Sequence, residues 1–196
     1  MTPEEVGARL VALLGAATTF EVAFGQLHVD VPATEWLAAA RAARDDEALA
    51  LGYFDWLTGV DELDAFAIVA HLYSLGHRHH VLLRTRVDRA QPQVASLVEL
   101  YPGAGWHERE TFEMFGVHFA GHPDLRPLLL PDGFEGHPLR KDFVLAARVA
   151  KPWPGAKEPG ESEHGAPSRR RVRPPGVPDP AEWGPDATGR EAGTDA

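Results

Sequence analysis

His107, Glu108, Glu110, Glu113, His118, His122 and His137 form a pool of side chains of the types that bind divalent metals. A hydrolytic zinc centre on a helix needs two histidines one turn apart with a glutamate between them, and that spacing is absent. His118 and His122 are four apart, but Gly116, Gly121 and Pro123 break any shared helical face. The pool reads as ion pairs and polar contacts at a packed interface. A second group, His77-Arg78-His79-His80, has the composition of a pH switch. A strand that begins at the surface explains it without function, and that is the favoured reading. None of the serines sits in a Gly-x-Ser-x-Gly elbow, and neither Gly-x-Gly-x-x-Gly nor a P-loop occurs. There are no cysteines, which excludes disulfides, thiolate zinc sites and cysteine-ligated iron–sulfur clusters.

These side chains must be positioned by residues 99–143, where charged, aromatic and turn-forming residues are unusually dense. Tyr101-Pro102-Gly103 ends one helical pattern, and Trp106 to Phe115 reads as a short helix closed by Gly116. Glu108, Phe112 and Phe115 fall on one face of it; Trp106, Glu110 and Glu113 lie near another. Arg109 is within i,i+4 reach of Glu113. A helix with acids and a base between large aromatics has no clean solvent face, so it should pack on two sides with its charges paired across a contact. Beyond Gly116, the prolines and glycines recur too often for a helix or a sheet ladder. Val117, Phe119, Leu125, Leu128, Leu129, Leu130 and Phe134 are nevertheless too apolar for a free loop. The reading is an extended strap laid across a surface, its own or a partner's.

Upstream, Thr2-Pro3-Glu4-Glu5 has the pattern of a capping box with Pro at the first helical position. Val6, Leu10, Leu13 and Leu14 then form the apolar stripe of a helix ending near Gly15. Phe20, Val22 and Phe24, then Leu27, Val29 and Val31, alternate about Gly25-Gln26, which predicts a hairpin pairing Phe24 with Leu27. Thr34 to Arg44 is an Ala-rich helix showing Trp36, Leu37 and Ala40 inward. Residues 49–57 are apolar and aromatic, with Asp55-Trp56 out of character among them. Ala65–Leu75 reads as a strand buried on both faces and His77–Val87 as a half-exposed one. Pro92 opens a helix whose Val94, Leu97, Val98 and Tyr101 face inward. This order predicts an α+β fold, a two-layer domain in which helices cover a mainly antiparallel or mixed sheet. The predicted division is an α+β domain over 1–103, a helix and interface strap over 104–146, and a Pro/Arg-rich tail over 147–196. The tail has few aliphatic residues and should be disordered unless docked, with Trp153 and Trp183 read either as local anchors on a partner or as isolated exposed residues of a linker.

The net charge is −10, and the surplus lies in the body. That argues against a nucleic-acid surface. The cationic run Arg169-Arg170-Arg171-x-Arg173 is flanked by prolines and diluted by acids, which suits an acidic partner or solvent. No apolar run of about 18 residues occurs, so no span of a bilayer is expected. The acidic start Met-Thr-Pro-Glu-Glu is wrong for an export signal, so a cytoplasmic setting is expected.

The residues of 106–116 (Trp-His-Glu-Arg-Glu-Thr-Phe-Glu-Met-Phe-Gly) and 136–143 (Gly-His-Pro-Leu-Arg-Lys-Asp-Phe) closely resemble the C-type subunit of proton-pumping NADH:quinone oxidoreductase. That is the 30 kDa subunit family of respiratory complex I. The resemblance extends to 53–61 and 71–75 and covers roughly residues 5–145. It departs at Glu113, where Asp is expected, and at Val144, where Pro often follows. It implies a peripheral-arm subunit on the cytoplasmic side of the membrane, beside the D-type and B-type subunits, with the I-type subunit as a further candidate neighbour. It also implies no catalytic residue, metal or cofactor on this chain. NAD(H), FMN, iron–sulfur clusters and quinone would be held by partners. Interface or scaffold roles then fall to Glu108, Arg109, Glu110, Glu113, Asp124, Arg126, His137, Arg140, Lys141 and Asp142. The alternatives are the equivalent subunit of a membrane-bound hydrogenase or of a quinone reductase with another donor and, remotely, a metal-dependent hydrolase.

Overall fold

The computed structural model describes residues 1–143. The tail over 147–196, with Trp153, Trp183 and the arginine run, lies outside the described residues, as do the last three residues of the expected strap. The elements are α1 (Pro3–Leu14), β1 (Thr19–Ala23), β2 (Gln26–Asp30), α2 (Trp36–Asp45), β3 (Tyr53–Asp61), β4 (Ala65–Tyr73), β5 (His80–Asp88), β6 (Gln93–Ala95), α3 (Ala104–Phe115) and β7 (His118–Ala120). The five longer strands form one sheet in the order β1-β2-β5-β4-β3. Every neighbouring pair is antiparallel except β2–β5, which is parallel. The α+β reading holds, and the sheet is mixed.

Strand periodicity decides which face is covered. Leu27 and Val29, then Val81, Leu83 and Val87, then Phe66, Ile68, Ala70 and Leu72, then Leu57, are all buried. They pack with Val6 and Leu10 of α1, Trp36 and the alanines of α2, and Phe115 of α3. The opposite face carries mostly exposed and half-buried residues; on β4 that face is half-buried apart from the buried Ala67, so β4 is fully buried on one face only. In α1 the capping box forms as expected, with Thr2 and Glu5 reciprocally bonded, while Leu13 lies at the surface.

Two local readings are corrected. The hairpin pairs Val22 with Leu27 and Phe20 with Val29, leaving Phe24-Gly25 as the turn. Both turn residues have positive φ, 53° and 77°, the type I′ geometry whose twist suits a two-residue hairpin. Phe24 therefore leaves the apolar face and is fully exposed. The helix expected from Pro92 is instead β6, parallel to β7, which also corrects the expectation of no ladder after Gly116. His118 N–H donates to Pro92 O at 2.8 Å and Ser96 N–H to Ala120 O at 2.9 Å. These partners come from more than twenty residues away, so tertiary pairing overrides the local helical spacing. Val94, Leu97 and Tyr101 are still buried, and Val98 is half-buried.

Candidate functional site

Helix α3 sits where the sheet allows close approach. A Cβ at Gly59 of β3 would lie 2.8 Å from the Phe115 ring and 3.1 Å from Thr111 Cγ2, so only glycine lets the helix lie so low on the strand. The helix closes at Gly116, in the left-handed region at φ 74°. A Cβ there would also collide with Arg140 and with His137 Nε2, the latter at 2.6 Å. Both come from the strap, which turns back over the end of the helix.

Among the described residues, the acids of α3 form no ion pairs with cations. Glu108, fully buried, accepts from Ser96 Oγ and from Leu97 N–H, both at 2.6 Å. Burial pushes its carboxyl up to about 7, against the smaller opposing pull of the two donors. Glu113, also buried, accepts from the Leu129 and Leu130 N–H groups at 2.8 Å each. Burial works against its ionised form, yet these backbone donors hold its carboxyl below the usual range. Arg109 passes by Glu113 and donates to Arg126 O at 2.8 Å and Pro127 O at 2.7 Å. The expectation of charges paired across a contact is thus corrected: two acids and one base of α3 are bonded to neutral groups of the same chain. Glu110 is exposed.

The strap is tied down along its length. Asp124 and Arg126 pair with each other at 2.6 Å, and both are at the surface or close to it. His137 Nδ1 meets Glu113 O at 2.8 Å, and Arg140 donates to Phe115 O at 2.6 Å while lying 5.1 Å from the Phe66 ring centroid. Beyond it, the buried Asp61 at the end of β3 gathers three donors. They are Arg89 at 2.7 Å, Leu63 N–H and Lys141 N–H, each at 2.9 Å. Burial raises its carboxyl, but the donors win and bring it down to about 2. Arg89 also holds Asp142 at 2.9 Å. Of the ten residues singled out, Glu108, Arg109, Glu113, His137, Arg140, Lys141 and Asp142 are brought into one continuous fastening. Asp124 and Arg126 form a local pair beside it, and Glu110 stands apart.

Sequence reasoning missed Asp61, Arg89 and Ser96 as fasteners. In the sequence Asp61 is only the last residue of the resembling stretch 53–61, and nothing in its surroundings points to a strap 80 residues away. The histidine pool also disperses: His122 meets Gly105 O at 3.1 Å, His107 packs edge-on against Phe54, and His118 is exposed. Among the described residues, no three His, Asp or Glu side chains converge as metal ligands would. No helix among them is long and apolar enough to cross a membrane.

Seen from outside, the fastened strap and α3 present Trp106, Leu129, Phe134 and Leu139, all exposed. A shallow cavity opens between α3 and the strap, lined by Phe112, Leu130, Phe134 and His137 among others.

The family described as respiratory-chain NADH dehydrogenase, 30 Kd subunit, matches residues 29–149. The C-type subunit of NADH-quinone oxidoreductase from Roseiflexus castenholzii is 46% identical over 144 residues, covering 71% of this chain and 83% of that one. The protein of the same description from Bordetella petrii is 39% identical over 166 residues, covering 74% and 79%. A solved structure described as Nqo5 of the trypsin-resistant fragment (1-134) in P63 form is 26% identical. It superposes with a TM-score of 0.55 over 64% of this chain and all of that one. A chain of the membrane-bound sulfane sulfur reductase, an archaeal respiratory membrane complex, shares the fold with a TM-score of 0.66 at 23% identity, covering 83% and 98%. A family match over more than half of the sequence, with relatives this similar across most of their own length, leads to one conclusion: the chain belongs to the 30 kDa subunit family of respiratory-chain NADH dehydrogenase.

Proposed function

We propose that this chain is a peripheral scaffold subunit of an NADH–quinone oxidoreductase, holding no cofactor and no catalytic residue of its own. It would sit on the cytoplasmic side of the membrane, against D-type and B-type partner subunits that carry the clusters and the quinone site. One observation carries the reading. The strap is locked from behind by buried carboxylates and arginines, while Leu129, Phe134 and Leu139 face outward. An extended apolar segment held rigid before its partner arrives loses little further entropy on docking.

The test is an affinity pull-down of tagged protein from gently solubilised membranes, with the co-purifying chains identified and NADH:quinone activity assayed. Cluster-bearing and NADH-binding chains with activity are expected. Because Glu110 is exposed and has no hydrogen bond or ion pair among the described residues, Glu110→Ala is expected to lower assembled enzyme while the isolated protein keeps its melting temperature. Assembly at the level of the unsubstituted protein would refute a contact role there. Arg140→Ala would also lower assembly, but through loss of the strap's own attachment. The fold shared with a chain of the membrane-bound sulfane sulfur reductase, a respiratory membrane complex of another kind, supports a second reading, the equivalent subunit of a related membrane-bound hydrogenase or of a quinone reductase with another donor. Hydrogenase-type or other-donor chains in the pull-down would establish it.

A further inference from the structure

The face of the sheet that no described helix covers carries a row of three polar side chains from three adjacent strands. The β3–β4 ladder has a bulge between Phe54 and Trp56, so Asp55 is the unpaired residue and its carboxylate swings along the sheet. Asp55 Oδ2 lies 2.9 Å from His71 Nδ1, and His71 Nε2 lies 2.8 Å from His80 Nδ1. The two imidazoles are perpendicular, at 89°. Trp56 stacks on His71 with centroids 5.7 Å apart and planes at 21°.

Matching donors to acceptors fixes the protons. An ionised Asp55 only accepts, so His71 Nδ1 carries a hydrogen. A neutral His71 then has a bare Nε2, and His80 must donate to it from Nδ1. That leaves His80 Nε2 bare, at the end of the row. A proton added at His80 Nε2 lets the bridging proton move from His80 Nδ1 to His71 Nε2. Charge thereby passes from one ring to the other with no heavy atom displaced. We propose that Asp55, His71 and His80 form a two-imidazole relay that takes up one proton from solvent at His80 and stores it on His71, between the Asp55 carboxylate and the face of Trp56.

The surroundings favour His71 as the resting place. It has a carboxylate on one side and a π-face within cation–π reach on the other. His80 has neither; burial and then the neighbouring His71 both push its imidazole pKa down. The other groups on this face do not compete. The row through His71 and Leu82 continues to His28 on β2 and Glu21 on β1, and the row through His80 contains Tyr73 and Tyr53. Arg84, one row beyond, is ion-paired to Asp30 at 2.6 Å. His79 precedes His80 in the chain, but its ring turns away to Leu49 O at 2.7 Å.

The experiment is ¹⁵N NMR of the imidazole nitrogens in the full chain from pH 5 to 8.5, for the unsubstituted protein and for Asp55→Asn. His71 and His80 are expected to take up one proton between them in a single step, with both His71 nitrogens becoming protonated. Asp55→Asn is nearly isosteric at an exposed position and is expected to leave the bulge and the fold in place, to lower the midpoint by half a unit or more and to move the charge to His80. Trp56 fluorescence should fall with the same midpoint, read as the difference from Trp56→Phe, and His71→Gln should abolish that change. Two independent one-proton steps, or an unchanged midpoint and charge position in Asp55→Asn, would overturn the relay.

Discussion

Glu108 is a buried acid facing a hydroxyl and a backbone N–H, and that environment makes its proton a stability term. The folded chain binds the proton more tightly than the unfolded chain, because burial raises the carboxyl from 4.5 to about 7. The associated stability is complete below about pH 4.5 and is lost as pH rises through about 7, a total of about 3 kcal/mol. Glu108→Gln keeps the acceptor for Leu97 and cannot ionise. It is therefore expected to be flatter than the unsubstituted protein between pH 5 and 8.5, and the more stable of the two at the alkaline end. Urea melts at several pH values check this; parallel curves would contradict it. From the sequence alone Glu108 stands out as an acid on an aromatic helix face, but its partners do not. Ser96 and Leu97 are ordinary residues in a stretch whose spacing reads as helix, and only the β6–β7 pairing turns their backbone toward α3.

At the scale of elements, the sequence is most legible where one residue type has one job. Gly116 closes α3 as its position implies, and Thr2-Pro3-Glu5 opens α1. The strap is legible as apolar and irregular, so that it must lie on something. What it lies on is not, because most of its fastening bonds have a backbone N–H or C=O as one partner, and such groups carry no signature of residue type. The Phe24-Gly25 turn sits one residue away from its expected place for a related reason. Gly25 serves as the first or the second position of a two-residue turn, and strand twist decides between them. Gly116 serves both helix and strap, so Gly116→Ala carries a left-handed backbone cost of about 1 kcal/mol plus about 1–3 kcal/mol for the collision with His137 and Arg140. The expected outcome is a loss of about 2–4 kcal/mol in denaturant unfolding. Faster amide exchange at Leu139 and Arg140 should accompany it, with β4 unchanged. A loss under about 1 kcal/mol would mean the strap yields freely at this point.

Across the whole molecule, the five-stranded sheet is two antiparallel pieces, β1–β2 and β3–β4–β5, joined along the parallel β2–β5 pairing. Only three residue pairs register there, and Arg84 grips Asp30 through two bonds at 2.6 and 2.7 Å. The pairing links residues 54 apart, so the chain must close a long loop before these contacts contribute. Asp30→Asn weakens the grip by about 1–2 kcal/mol and is expected to slow refolding about fivefold, with a smaller effect on unfolding. Stopped-flow chevrons test this; a change confined to the unfolding limb would place the closure late. The same seam has a consequence during translation. Leu27 and Val29 leave the ribosome long before β5 exists, and at ~5–20 residues per second their partner strand follows roughly 3–10 s later. For that interval the amino-terminal hairpin is a nascent segment with one apolar side and an unclaimed edge, the kind of surface that a chaperone at the ribosome exit would hold.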